Sequence, residues 1–175
     1  MEWFVFFVLT AAVAFLFWAI TFVIVPLTMG ASFEITKDEK LKKMIKFAKI
    51  KKGEKVAELG SGNGKLVIEF AKLGAEVHGY EINPFLVLLS RIKIRREGLE
   101  KKAFVHWKNF WNVNLGNFDV VLAFQVGYIM RELEKKLKKE TNKKMKIVSN
   151  NWKFPNLKCL QEEDRVYYYE INPGI

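Results

Sequence analysis

The residues best placed to do chemistry fall in one short stretch, Val56-Ala57-Glu58-Leu59-Gly60-Ser61-Gly62-Asn63-Gly64. An apolar run ends in an acid and passes into three glycines that alternate with small polar residues. Leu66, Val67, Phe70 and Ala71 then recur at helical spacing. Strand, glycine turn and helix open a nucleotide-binding α/β unit. Glycine adopts backbone conformations closed to other residues and brings no Cβ, so a ligand can approach the main chain. The helix start adds free N–H groups. The spacing excludes two common loops. In the dinucleotide fingerprint G-x-G-x-x-G the third glycine comes one residue later, where this chain has Lys65. A phosphate loop needs Ser or Thr after its lysine, and Leu66 follows Lys65.

What remains, E-x-G-x-G-x-G, resembles motif I of the class I S-adenosylmethionine-dependent methyltransferases. That ligand carries an amino-acid moiety and a sulfonium but no phosphate, and Glu58 suits its positive end. One βα unit later, residues 75–81 read as a second strand ending in an acid. Ligands of open α/β sheets lie over the carboxyl ends of the strands, so Glu81 is positioned to accept both ribose hydroxyls. A third strand, 103–107, leads into Lys108-Asn109-Phe110-Trp111. There Asn109 can pair with the polar edge of adenine and Phe110 can stack on its face. His78 and His106 read as structural strand residues.

The elements that must hold these groups follow in order. Thr36-Lys37-Asp38-Glu39 has the form of a capping box. It predicts a helix with Leu41, Met44, Ile45, Phe47 and Ala48 buried and lysines on the other side. Asn83-Pro84 opens another helix. Its many apolar residues, from Phe85 to Ile94, predict close cover by neighbours, with Arg91, Arg95 and Arg96 as a solvated edge. Residues 118–124 form a fourth, central strand, and its end, Phe124-Gln125-Val126-Gly127, should face the transferred methyl. A fifth strand spans 145–150. Residues 157–161 and 166–171 read as a final hairpin joined at Glu162-Glu163-Asp164. The expected fold is α/β: a Rossmann-like seven-stranded sheet with helices on both faces.

The chain has 175 residues and a net charge of +10, enough for one domain with a core. From Trp3 to Ser32 there is no charged residue, and the run is apolar on every side. About 20 such residues span a bilayer. The run lacks the basic start of a signal peptide and is too long for one. Pro26 lies near its exit. The expectation is an anchor over residues 1–33, embedded in lipid through 3–29, ahead of a methyltransferase domain over 34–175. Lys37, Lys40, Lys42 and Lys43 follow the run and only Glu2 precedes it. Basic flanks stay on the cytoplasmic side, so the N-terminus is expected outside and the domain in the cytoplasm, or the matrix of an organelle. Cys159 is the lone cysteine. No zinc spacing is found, and no metal is expected.

The run "ELGSGNGKLVIEFAKLGAEVHGYEIN" from Glu58 to Asn83 resembles a small group of protein lysine methyltransferases, archaeal and mitochondrial, which includes those acting on the ATP synthase c-subunit and the adenine nucleotide translocase. Further echoes are "LEKKLKK", "KIVSNNWKFP" and "VYYYEI". The resemblance implies S-adenosylmethionine as cofactor, with contacts at Glu58, Gly60, Gly62, Gly64, Glu81 and Asn109. Ser61, Asn83 and Phe110 complete the candidate cofactor set. It also implies a substrate channel near Phe124, Gln125 and Trp152, the candidate catalytic residues. Many relatives have Asp where Asn109 stands, and the segment after Phe124 matches poorly. The implied partner is a protein bearing the target lysine, with membrane proteins among the candidates. Base-amine methylases carry (N/D)-P-P-(Y/F) after the fourth strand. This chain does not, so nucleic acid is not expected. Two alternatives stay open: transfer to a lipid head group or small amphiphile, and a non-catalytic module that binds lipid or RNA.

Overall fold

A computed structural model describes residues 2–20 and 36–174. The expected exit of the apolar run, with Pro26 and the 33/34 boundary, lies outside the described residues. Helix α1 (Glu2–Ala19) is exposed along its whole length and carries no charge after Glu2. Thr10 donates its hydroxyl to the carbonyls of Phe6 and Phe7 (3.1 and 2.9 Å), so its polar group is satisfied within the helix. At 18 residues, α1 is long and apolar enough to cross a membrane.

The rest folds around one sheet. Its strands are β1 (Lys55–Leu59), β2 (Glu76–Glu81), β3 (Ala103–Trp107), β4 (Val120–Ala123), β5 (Met145–Asn150), β6 (Gln161–Glu163) and β7 (Val166–Ile171). They lie in the order β3-β2-β1-β4-β5-β7-β6. The first five are parallel, and β7 enters antiparallel between β5 and β6. The order reverses beside β1, which opens a crevice at the carboxyl ends of β1 and β4. The expected seven-stranded sheet is therefore present, with helices on both faces.

One face carries α2 (Asp38–Ala48), α3 (Lys65–Lys72) and α4 (Pro84–Arg96). Leu41, Met44, Phe47, Phe70, Val87 and Ile94 pack there against Val56, Val77 and Leu122. The other face carries α5 (Met130–Glu140), with Leu133 and Leu137 against Ala57, Val121, Ile147 and Tyr169. Between β3 and β4 there is no full helix. Two 3₁₀ turns, Phe110–Asn112 and Leu115–Asn117, cover the sheet instead.

Three expectations need correction. The capping box does not form. The helix starts one residue later, with Lys37 as N-cap, and a lysine has no acceptor with which to cap; Lys65 reaches back to the Thr36 carbonyl (2.6 Å) and the Asp38 carboxylate (2.7 Å). The lysines of α2 lie opposite its buried residues, as expected, and two of them are paired: Lys43 with Asp164, and Lys46 with Glu163 at 3.0 Å. They strap α2 to the last hairpin. That hairpin starts later than its sequence suggests. Residues 157–160 lie outside β6, and the turn is Asp164-Arg165, both left-handed (φ 51° and 62°), as a two-residue type I′ turn requires. Finally, α4 is not covered on all sides. It buries Val87, Ser90 and Ile94 but leaves Phe85, Leu88 and Ile92 exposed.

Candidate active site

The glycine turn is built into the sheet rather than laid on it. Gly60 and Ser61 both donate their N–H groups to the Tyr80 carbonyl (2.9 and 3.0 Å), so the turn stacks on β2. Gly60 and Gly64 lie in the left-handed region (φ 74° and 77°), where a side chain is strained. Space is short as well. A Cβ on Gly64 would come within 2.9 Å of Ser90 Cβ, and one on Gly60 within 3.1 Å of Gln125 Nε2. Ser90 donates its hydroxyl to the Gly62 carbonyl (3.0 Å), tying the turn to α4.

Two acids sit beside the turn. Glu81, buried at the end of β2, accepts N–H groups from Gly62 (2.8 Å), Ile82 (2.9 Å) and Asn83 (2.8 Å). Asn83 caps α4, accepting from Phe85 and Leu86 (3.0 and 3.3 Å). Glu58 is buried on β1, and its Oε2 has no hydrogen-bond partner among the described residues. Burial pushes the Glu58 carboxyl well above the usual range. The Val67 N–H opposes that shift and the charge of Glu81 adds to it. Two more orphans lie beside it in the chain and the fold, Ser61 Oγ and Gln125 Oε1.

The match that decides the family is to the model of the ANTKMT methyltransferase domain, over residues 58–161. That span covers more than half of the chain. The chain belongs to the ANTKMT methyltransferase domain family. It is similar to the lysine N-methyltransferase of the ATP synthase c-subunit from Homo sapiens, 33% identical over 118 residues, which is 67% of this chain and 50% of that protein. It is also similar to the adenine nucleotide translocase lysine N-methyltransferase of Mus musculus, 31% identical over 123 residues, 67% of this chain and 54% of that protein. The chain spans about half the length of these curated relatives. Among solved structures, an RNA methyltransferase from Salinibacter ruber in complex with S-adenosyl-L-homocysteine gives a TM-score of 0.74 at 20% identity, over 81% of this chain and 95% of that one. That likeness shows the fold.

Methyl transfer in the ANTKMT family draws on S-adenosylmethionine, and the residues present fit it. An unpaired buried carboxylate oxygen suits a cationic ligand far better than a phosphate. The orphan hydroxyl and amide oxygen beside it offer further acceptors. Glu81 already holds the turn through its bond from Gly62.

The adenine side is changed by the structure. Asn109 accepts the Trp111 N–H (3.0 Å) and so caps a 3₁₀ turn. Phe110 is buried in the α5-side core, against Trp111 (ring centroids 5.0 Å apart). It is a packing residue and leaves no face for a base. The ring exposed at this turn is Trp107, whose indole N–H donates to the Ile82 carbonyl (3.0 Å).

Of the expected catalytic residues, Gln125 and Trp152 follow the adjacent parallel strands β4 and β5 at the same end of the sheet. Gln125 is buried, and its amide donates to the Leu59 carbonyl beneath Gly60. It supports the glycine turn as much as it faces a substrate. Trp152 packs flat on Gly127, where a Cβ would fall 2.6 Å from its ring. Its loop is pinned three times. Ser149 donates its hydroxyl to the Trp152 carbonyl (2.6 Å), the Phe154 N–H donates to the Tyr169 hydroxyl (3.2 Å), and the Asn156 N–H donates to Glu134 (2.9 Å). Phe124 is half-buried, and Tyr128 is exposed nearby in the chain. Tyr169→Phe leaves a buried N–H unpaired, so it should cost about 1–3 kcal/mol in chemical denaturation and raise KM for the acceptor more than for the cofactor.

Three residues escaped the sequence reading. Gly79, within β2, lets Ser61 approach: a Cβ there would lie 2.6 Å from Ser61 Cβ and 2.7 Å from Val67 Cγ2. Ser90 looked like one polar residue in an apolar helix. Asn150 ends β5, fully buried, with neither end of its amide paired among the described residues. The β4–β5 register pairs Ala123 with Ser149, which sets Asn150 level with Phe124. Histidines take no part: His78 and His106 bond to each other (3.0 Å) on the sheet face. No metal-binding cluster is found among the described residues.

Proposed function

We propose that this chain is a membrane-anchored S-adenosylmethionine-dependent methyltransferase acting on lysine side-chain amines of proteins. The observation that carries it is the buried Glu58 carboxyl, with one oxygen unpaired, beside a glycine turn in a chain whose curated relatives are named as lysine N-methyltransferases. The proposed domains are an anchor over 1–33 and the methyltransferase over 34–175, with the N-terminus outside and the domain on the cytoplasmic or matrix side. Glu58, Gly60, Ser61, Gly62, Gly64, Glu81, Asn83 and Asn109 hold the cofactor. Phe124, Gln125 and Trp152 line the acceptor side, and Asn150 joins them.

When bound, the cofactor supplies an electrophilic methyl for in-line displacement. The residues do the rest by alignment, which can contribute much of the acceleration. A lysine reaching Trp152 and Phe124 leaves water, and that favours its neutral, nucleophilic form. Aromatic faces stabilise the methylammonium product. No general base is assigned. Gln125→Ala is not a clean test of that point, because Gln125 also holds the turn under Gly60.

The test is methyl transfer from labelled S-adenosylmethionine in the organism's own membranes, comparing wild type with Gly60→Arg. Label in protein, recovered as methyl-lysine and lost with the variant, supports the proposal. Variant-sensitive label in the lipid extract instead would assign the acceptor to a lipid head group.

Glu58 also predicts a pH dependence. The free carboxyl holds its proton to unusually high pH, and a bound cation favours the ionised form. Cofactor affinity should therefore rise with pH until the free Glu58 has ionised, and then level off. Calorimetry in buffers of different ionisation heat should show proton release below that plateau and none above it.

A further inference from the structure

We propose that helix α4 docks on the surface of an anionic bilayer. The inference rests on the anchored-methyltransferase reading and deepens it, since it names the surface through which the domain meets the membrane.

The exposed face of α4 has the wrong chemistry for water. Phe85, Leu88 and Ile92 recur at three- and four-residue spacing and are 52%, 56% and 40% exposed, while Val87, Ser90 and Ile94 take the buried side. An ordinary surface helix turns polar residues outward on such a stripe. Around it stand Arg91, Lys93, Arg95 and Arg96, and the helix contains no acid. Apolar centre and basic rim are the two parts of an interfacial helix: the first enters the acyl boundary and the second meets anionic head groups. Trp107, 68% exposed, joins the stripe at its start through its bond to Ile82. Tryptophan favours that level of a bilayer.

Position supports the same occupant. The apolar run leads into Thr36, whose carbonyl is held by Lys65, the residue after the glycine turn. On the other side of the turn, Lys93 of α4 donates to the Asn63 carbonyl (3.5 Å). Thr36 and α4 are thus both tied to one loop. An anchor in the bilayer keeps α4 within reach of it, and the turn at residues 60–64, held by Ser90 on the buried side of α4, lies behind the docked helix.

The experiment uses the full chain with Cys159→Ser, reconstituted in vesicles of phosphatidylcholine with phosphatidylserine. A single cysteine carrying an environment-sensitive dye is placed at Leu88→Cys, Leu9→Cys or Lys139→Cys, the last on α5 across the sheet. The expected result is a blue-shifted dye at 88 that spin-labelled lipid quenches, weakened by high salt or by omission of phosphatidylserine, with an aqueous dye at 139. A dye at 88 that stays aqueous overturns the docking, whatever happens at 9, and leaves the stripe to a protein partner. An aqueous dye at 9 overturns the anchor, a separate outcome. As a second variant, Leu88→Glu with Ile92→Glu should leave cofactor affinity unchanged in detergent and lower methylation in vesicles by about tenfold. Equal activity in vesicles counts against the docking.

Discussion

Replacing Glu58 with glutamine should weaken S-adenosylmethionine binding while the empty protein becomes no less stable. The two effects have one cause. In the free protein Glu58 is a buried acid with an unpaired oxygen, and ionising it is costly. Glutamine is nearly the same shape and carries no charge. By linkage, a carboxyl with a raised pKa opposes folding as pH rises above its unfolded value, so its removal should leave the melting temperature near pH 7 equal or higher. Binding reverses the sign. The cation that would offset the charge now meets a neutral amide, and losing a charge-assisted contact of about 2–4 kcal/mol corresponds to roughly 30- to 1,000-fold in affinity. Calorimetry for affinity and thermal melting of the empty protein measure both. A variant that binds normally, or one that binds weakly only because it unfolds, removes Glu58 from the site.

The second large effect lies outside the glycine motif. Gly79→Ala adds one methyl group in the middle of β2, where it meets Ser61 Cβ at 2.6 Å and Val67 Cγ2 at 2.7 Å. Neither atom is the loose end of a flexible side chain. The turn must lift off β2, and with it the bonds from Gly60 and Ser61 to Tyr80. Overpacking of this kind costs about 1–3 kcal/mol, and here it falls on the surface that shapes the cofactor site. Cofactor affinity should drop at least tenfold, and the melting temperature should fall as well. Gly53→Ala makes a suitable contrast, because a Cβ there meets nothing within 4 Å. Its left-handed φ of 85° costs stability alone, with cofactor affinity unchanged.

These two cases show what was legible in the sequence. Glu58 and the three glycines announce themselves because turn, strand and helix signals lie next to one another in the chain. The strands do so for the same reason, and β3 and β5 have the limits their patterns suggest. Gly79 gives no such sign, since what forbids a side chain there is Ser61, distant in sequence. The same holds for Ser90, whose partner is Gly62. The capping box failed because the helix starts one residue later, at Lys37, which has no acceptor to offer. Phe110 failed because its position after β3 says nothing of which way the ring turns; tertiary packing put it in the core. The apolar residues of α4 were read as buried because composition cannot tell a core from a surface that meets lipid.

The most direct measurement is a map of lysine methylation in membranes from cells with and without a working copy of this protein, made by mass spectrometry. The proposal predicts that methylation disappears from a small set of lysines of membrane proteins, and returns with wild type but not with Gly60→Arg. Unchanged lysine methylation, together with loss of a methylated lipid, would contradict it.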